Sequence, residues 1–167
     1  MTSKLKVNLI NDSGDNNIIT SDGSGVITSS KFKIGQVLTA TGSTQSATTS
    51  SSFVNVPSLS VAITPTSTSS KVYIIVTDVA EVASSGEAAF TIARGGTNLA
   101  PSNSGMSYVT GSSIQIPIAM SYLDSPSSTS SNTYTAQFRK IAGTSINSQT
   151  NGILASITVM EILPKCH

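Results

Sequence analysis

The chain has 167 residues, with Lys plus Arg at 9, Asp plus Glu at 8 and a formal net charge of +1. Only 10% of its residues are charged, against roughly 25% in an average soluble domain, and the nearest approaches to a basic patch are Lys31 with Lys33 and the Arg139-Lys140 pair. That balance argues against nucleic acid as a main partner, because phosphate binding needs a concentrated basic face, and a single cysteine cannot build an internal disulfide framework.

The length suits one domain with room for a short appendage. Ser and Thr make up roughly a third of the residues, far above average usage. These tracts alternate with Val, Ile and Leu runs, so they read as turns and solvent faces of strands, not as disorder. Residues 1–33 are predicted to form an extended arm. Leu5, Val7 and Leu9 alternate as in a strand, Asn11 to Asn17 is a turn cluster, Ile18 to Thr20 is a short apolar piece, and Ser21 to Gly25 turns again. Pieces this short need another surface to lie against, so Leu5, Val7, Leu9, Ile18 and Ile19 are the expected arm contacts.

Residues 34–167 are predicted to form the head. Ile34 to Thr41 is a strand, Thr44 to Ser52 a polar loop, and Phe53 to Thr64 a strand at an edge or bulged at Pro57. Lys71 to Val82 is a continuous apolar run, the pattern of a strand buried on both faces. Ala88 to Ala100 reads as a hairpin whose Gly95-Gly96 supplies the positive φ of a two-residue primed turn. Pro101 to Ser113 reads as a loop. Ile114 to Leu123 contains Pro117 and so reads as an edge strand or a bulged one. Thr133 to Arg139 and Ala155 to Ile162 close the chain as strands on either side of less regular sequence. Val72, Ile74, Val76, Phe138, Ile157, Val159 and Ile162 are the expected core. Helix signals are nearly absent, and the fold class this predicts is all-β: an antiparallel β-sandwich or jelly roll with an extended N-terminal arm.

Chemistry is hard to find. His167, the one histidine, stands two residues from Lys165 at the end of the sequence beside Cys166, a poor place for a triad imidazole that must be held by a third group. Asp78 and Glu81 are the only close carboxylates on one predicted strand. Three residues apart they point to opposite faces, and both read as solvated strand-end acids, not a glycosidase pair. The Asn11–Asn17 cluster lacks EF-hand spacing, and Arg94-Gly-Gly-Thr97 lacks the spacing of a phosphate loop. No catalytic residue, cofactor or metal is expected. Tyr108, Met106 and Asn103 in the predicted 101–113 loop, with Asp124 at the head of the next loop, are the candidate receptor or partner contacts. Tyr122, Tyr134 and Phe138 read as core or interface. Met1 to Lys6 lacks the apolar core of a signal peptide, and no apolar run reaches the ~20 residues of a transmembrane helix; the expectation is assembly in a cytoplasm without membrane insertion.

The order Tyr122-Leu-Asp-Ser-Pro126, Thr133-Tyr134, Gln137-Phe138 and Ser156-Ile-Thr-Val-Met-Glu-Ile162 resembles the C-terminal jelly-roll knob of bacteriophage (cyanophage-like) tail fibres and related virion proteins, and Thr20-Ser-Asp-Gly-Ser-Gly25 followed by Ile27-Thr-Ser29 is similar to the segment that precedes such heads. The resemblance covers roughly the last hundred and thirty residues. It implies a trimeric jelly roll of the tumour-necrosis-factor and complement-head shape, a place on the virion among other tail or capsid proteins, and a host-surface glycan as a candidate ligand. Most fibres of this kind carry a long N-terminal docking part, which this chain does not show. The expected function is therefore a fibre or spike subunit, with a capsid decoration (cement) protein as the alternative and a glycan-processing virion enzyme behind both.

Overall fold

The computed structural model describes residues 9–11, 13–15, 17–21, 27–28, 34–83, 85–100, 102 and 104–164. In chain order the strands are β1 (Leu9–Asn11), β2 (Asn17–Ser21), β3 (Ile27–Thr28), β4 (Ile34–Gly42), β5 (Ser46–Thr48), β6 (Val54–Ile63), β7 (Lys71–Val82), β8 (Gly86–Arg94), β9 (Thr97–Asn98), β10 (Ser107–Gly111), β11 (Ile114–Asp124), β12 (Asn132–Ala142), β13 (Ile146–Ser148) and β14 (Ala155–Ile162), with one 3-10 turn at Thr150–Gly152. The described part of the arm is a small antiparallel sheet, β1-β2-β3.

The head is a sandwich of two antiparallel sheets, as expected. One runs β4-β14-β7, with β11 on the far side of β7 and β13-β5 continuing the β14-β4 pair along the same flank. The other runs β10-β8-β12-β6, with β9 beside the end of β8. With the short β5, β9 and β13 set aside, the long strands nest as pairs from the outside of the sequence inward: β4 with β14, β6 with β12, β7 with β11, β8 with β10. Two further pairings, β14 with β7 and β12 with β8, join the nested ribbons into the two sheets. This is the winding of a jelly roll.

Alternation places one face of each long strand in the core. Val72, Ile74 and Val76 of β7 meet Ile157 and Val159 of β14, and across the gap stand Leu59, Val61 and Ile63 of β6, Phe90 and Ile92 of β8, and Tyr134 and Phe138 of β12. The Phe90 and Phe138 rings stack with centroids 5.9 Å apart. Each such side chain stabilises the head by about 1.5–3 kcal/mol through burial. The Gly95-Gly96 hairpin forms as predicted, Arg94 pairing with Thr97 and both glycines holding positive φ (54° and 83°). Pro57 and Pro117 sit on edge strands, β6 and β11, and Ser58 beside Pro57 takes φ 63° where the β6–β12 register shifts.

Several expectations change. The apolar run of β7 is not buried on both faces: Val72, Ile74, Val76, Ala80 and Val82 are buried, while Tyr73, Ile75 and Val79 on the other face are only half-buried. Ile162 likewise points outward and is half-buried, so it is not part of the core. The predicted 44–52 loop contains β5, and the predicted 101–113 loop contains β10. In the arm, the described strands β1–β3 pair with one another in a meander.

Candidate interaction surface

The two outer faces of the sandwich differ. On the β10-β8-β12-β6 side, Ala89, Thr91 and Ala93 of β8 point outward yet are fully buried. Larger neighbours roof them. Phe53 lies close to Gly105, and the Arg139 guanidinium stacks over the Phe53 ring at 5.1 Å. Gln137 Nε2 donates to Asn55 Oδ1 (2.8 Å), and Asn98 Oδ1 accepts from Thr91 Oγ1 and from the Ala100 N–H. This face covers itself.

The other face does not. Register places Val37, Thr39 and Thr41 of β4, Ser156, Thr158 and Met160 of β14, Tyr73, Ile75, Thr77 and Val79 of β7, and Pro117, Ala119, Ser121 and Leu123 of β11 side by side. None of these is charged; Lys71 and Glu81 stand only at the two ends of β7. Val37, Met160, Tyr73 and Leu123 form one apolar row across four strands, with Val37 55% and Leu123 47% exposed. The neighbouring Ile34–Ile162 pair widens it. The hydroxyls between the apolar patches are matched to each other: Thr39 with Thr158 at 3.0 Å and Thr77 with Ser156 at 2.9 Å. Cross-strand hydroxyl pairs stabilise the sheet modestly, and they lower the cost of removing this face from water, because buried hydroxyls need partners.

Three carboxylates, those of Glu161, Asp78 and Asp124, are buried and hydrogen-bonded inside the fold. Glu161, fully buried on β14, accepts from the Thr66 N–H and hydroxyl (2.7 Å each) and from Gln36 Nε2 (2.9 Å), which also donates to the Thr64 carbonyl. Burial alone would raise its pKa, but the donors Thr66, Ser70 and Gln36 outweigh burial and hold it below the usual glutamate value. Asp78 is buried, not a solvated strand-end acid: it faces inward from the middle of β7 and accepts from the Ser148 hydroxyl (2.5 Å), the Gln149 N–H (3.0 Å) and the Val79 N–H (2.7 Å). Burial wins there and raises its pKa. Glu81, on the opposite face as predicted, accepts from Asn147 Nδ2 (2.9 Å). No local pattern marks Ser148, Gln149 and Thr150, all fully buried near Asp78.

The candidate contacts fall in different places. Tyr108 is 50% exposed but stands on β10, not in a loop; its hydroxyl pairs with Glu87, which raises its pKa. Met106 is half-buried against the core, its N–H donating to the Phe90 carbonyl at 2.8 Å. Asp124 is the last residue of β11, buried, and grips Arg94 (2.6 Å) and the Tyr134 hydroxyl (2.6 Å). Burial and the Asp124 bond together raise the Tyr134 pKa. Tyr108 and Asp124 belong to different sheets. Among arm contacts, Leu9 is exposed and Ile19 half-buried opposite Ile10. Ile18 lies in β2, its side chain outside the described residues, as are Leu5, Val7, Asn103, Cys166 and His167 entirely. Among the described residues no three His, Cys, Asp or Glu side chains gather as a metal site, and no helix is long and apolar enough to cross a membrane. No protein-family profile and no curated protein sequence matches the chain.

Proposed function

We propose that this chain is a structural subunit of a bacteriophage particle, the head of a trimeric fibre or spike that adheres to the host surface and carries out no reaction. The observation that carries this reading is the uncharged outer face of β4-β14-β7-β11. A strand face with an apolar row, self-paired hydroxyls and no charge is suited to be buried against another copy of the chain, since interface cores are depleted of charge; in a closed three-fold ring each copy sets such a face against a different face of its neighbour. The jelly-roll winding and the resemblance of its last strands to phage knobs supply the trimeric arrangement. The engagement of Asp78, Glu81, Asp124 and Glu161 by internal donors supports a building block over a catalyst, because each carboxylate is already spent on holding the fold.

Sedimentation equilibrium tests it. The protein is expected at three times its 17.1 kDa monomer mass, and Val37→Lys with Met160→Lys is expected to give folded monomers, since neither side chain is in the core. A wild-type monomer at micromolar concentration overturns the assembly. Immunogold label spread over the whole capsid, and not confined to the tail, overturns the fibre position.

A further inference from the structure

Most edges of the sandwich are guarded. β6 carries Pro57 and the register shift beside it, β11 carries Pro117, and β5, β9 and β10 have five residues or fewer. Proline, irregularity and shortness each keep an edge from recruiting another strand. β4 has none of these protections. It runs nine residues without proline or charge, its ladder with β14 is regular from Val37 to Gly42, and no charged residue occurs anywhere from 34 to 70. β14 takes one side of it; among the described residues nothing pairs with the other.

Exposed apolar side chains gather along this strand. Ile34 and Val37 are bare on its outer side, and Leu38, 38% exposed, is on its inner side beside the buried Val159. Ile153 and Leu154, the latter 67% exposed, lead into β14 where Ala155 pairs with Gly42 at the end of β4. Of the large apolar residues exposed on the described head, only Tyr108 and Leu123 lie elsewhere. A strand that is apolar and bare on both faces, beside an unpaired edge, has the character of an inner strand that lacks its neighbour.

The arm holds the counterpart. β1 pairs only with β2, so it too has an unpaired edge, and all three of its residues are exposed. Leu9 and Ile10, on its two faces, are the remaining exposed large apolar residues, and Leu5 and Val7 continue the alternation in the sequence before them. Five residues separate β3 from β4, so within one chain the strand tethered closest to β4 is β3, and these two do not pair. β1 lies across the meander from β3, two strand spacings or about 10 Å away, with its edge turned from the tether.

We infer that β1 of one copy adds to the open edge of β4 in the next, so that the arm meander extends the β11-β7-β14-β4 sheet of its neighbour. Strand addition to a bare edge draws its affinity from main-chain hydrogen bonds and its specificity from alternate side chains. Leu9, Ile10 and Asn11 bring no charge to an edge that has none. The inference rests on the trimeric reading above and names a second contact that joins its subunits: passed head to tail, three such exchanges close a ring.

Hydrogen exchange read by mass spectrometry on the full-length protein tests it, with the oligomer mass measured on the same sample. In a strand paired on one side only, about half of the amides face water. All amides of 34–42 are expected to be protected in the wild-type oligomer. Those facing away from β14 should exchange about tenfold faster, some 1.4 kcal/mol less protected, in Leu9→Lys with Ile10→Lys and in Leu38→Lys. These variants alter opposite partners at exposed side chains, so loss of protection in both reports the contact between them and not damage to one strand. Tyr108→Lys, on another edge, should exchange as wild type. The inference is overturned by free exchange of those amides in a wild-type trimer, by protection that survives either variant, or by protection that persists in folded Val37→Lys, Met160→Lys monomers, which puts the arm on its own chain. A trimer with a bare β4 edge sinks the strand addition alone; a wild-type monomer sinks both it and the reading beneath it.

Discussion

Glu161 gives the sharpest test of how the head is held together. Glu161→Ala removes an acceptor that serves the Thr66 N–H, the Thr66 hydroxyl and the Gln36 amide from inside β14. A hydrogen bond to a charged group contributes about 1.5–3 kcal/mol. Thr66 is exposed and can turn its donors to water, so the three bonds do not add in full, and the expected cost is about 3 kcal/mol. At about 2–4 °C per kcal/mol for a chain of this size, the melting temperature should fall by about 6–12 °C. Glu161→Gln keeps one oxygen for Thr66 but sets an amide N–H against Gln36 Nε2. Turning Gln36 round would forfeit its bond to the Thr64 carbonyl, so this variant should lose about half as much. The pH dependence has a defined sign. Because the folded-state pKa lies below the unfolded one, the contribution is complete above the ordinary glutamate value, about 4.3, and is lost as pH falls through the folded value. The gap between wild type and Glu161→Gln should therefore be widest near neutrality and narrow in acid. Differential scanning calorimetry across that range decides. Equal melting temperatures at neutral pH, or a gap that does not change with pH, would refute the reasoning.

Asp78 should behave with the opposite sign. Its raised folded pKa makes the buried carboxylate a burden at neutral pH that is relieved as pH falls through the folded value toward the unfolded one. Asp78→Asn keeps an oxygen for the Val79 and Gln149 N–H groups and offers an N–H to Ser148, so urea melts at neutral pH should show it level with wild type or up to about 1 kcal/mol more stable. Tyr134→Phe removes a buried donor from the Asp124 carboxylate and should cost about 1.5–3 kcal/mol, read as a lower urea midpoint at unchanged slope. At Gly95 a side chain meets no other atom within 4 Å, so only the backbone decides: Gly95→Val should cost about 1–2 kcal/mol and Gly95→Asn a fraction of that, because Asn tolerates the left-handed region. A valine variant as stable as the asparagine one in thermal melts would contradict this.

Features governed by local backbone rules were readable from the residues alone. Gly95-Gly96 announced a two-residue hairpin, and Pro57 and Pro117 announced strands that are at an edge or bulged, because a missing N–H cannot serve a central ladder. The β7 run misled for a physical reason. Tyr73, Ile75 and Val79 are apolar like the core residues between them, yet they belong to the uncharged outer face, and a period-2 signal vanishes when both faces are apolar. β5, β10 and β13 were missed because each has three to five residues and too few inward apolar positions to show a period. Asp124 was legible after all: it shares parity with Ile118, Met120 and Tyr122, which points it inward, but Ser125-Pro126 beside it suggested a loop. Nothing local marks Ser148, Gln149 and Thr150 as buried, since their polar run looks like any turn and their partner Asp78 is some seventy residues away.

The nested pairing also governs how this head comes into being. β14 is the last strand synthesised in the domain, yet it is the one inserted between β4 and β7, and the Thr39–Thr158 contact spans 119 residues. Until residue 162 has left the ribosome, β4 has no partner in its sheet and one flank of β7 is bare except where β13 meets its end. Contacts this remote in sequence close slowly, and open strand edges invite pairing with other chains in the meantime. Each chain is thus obliged to wait, nearly whole and unfinished, for its closing strand, a delay during which crowded nascent copies are most exposed to joining one another wrongly.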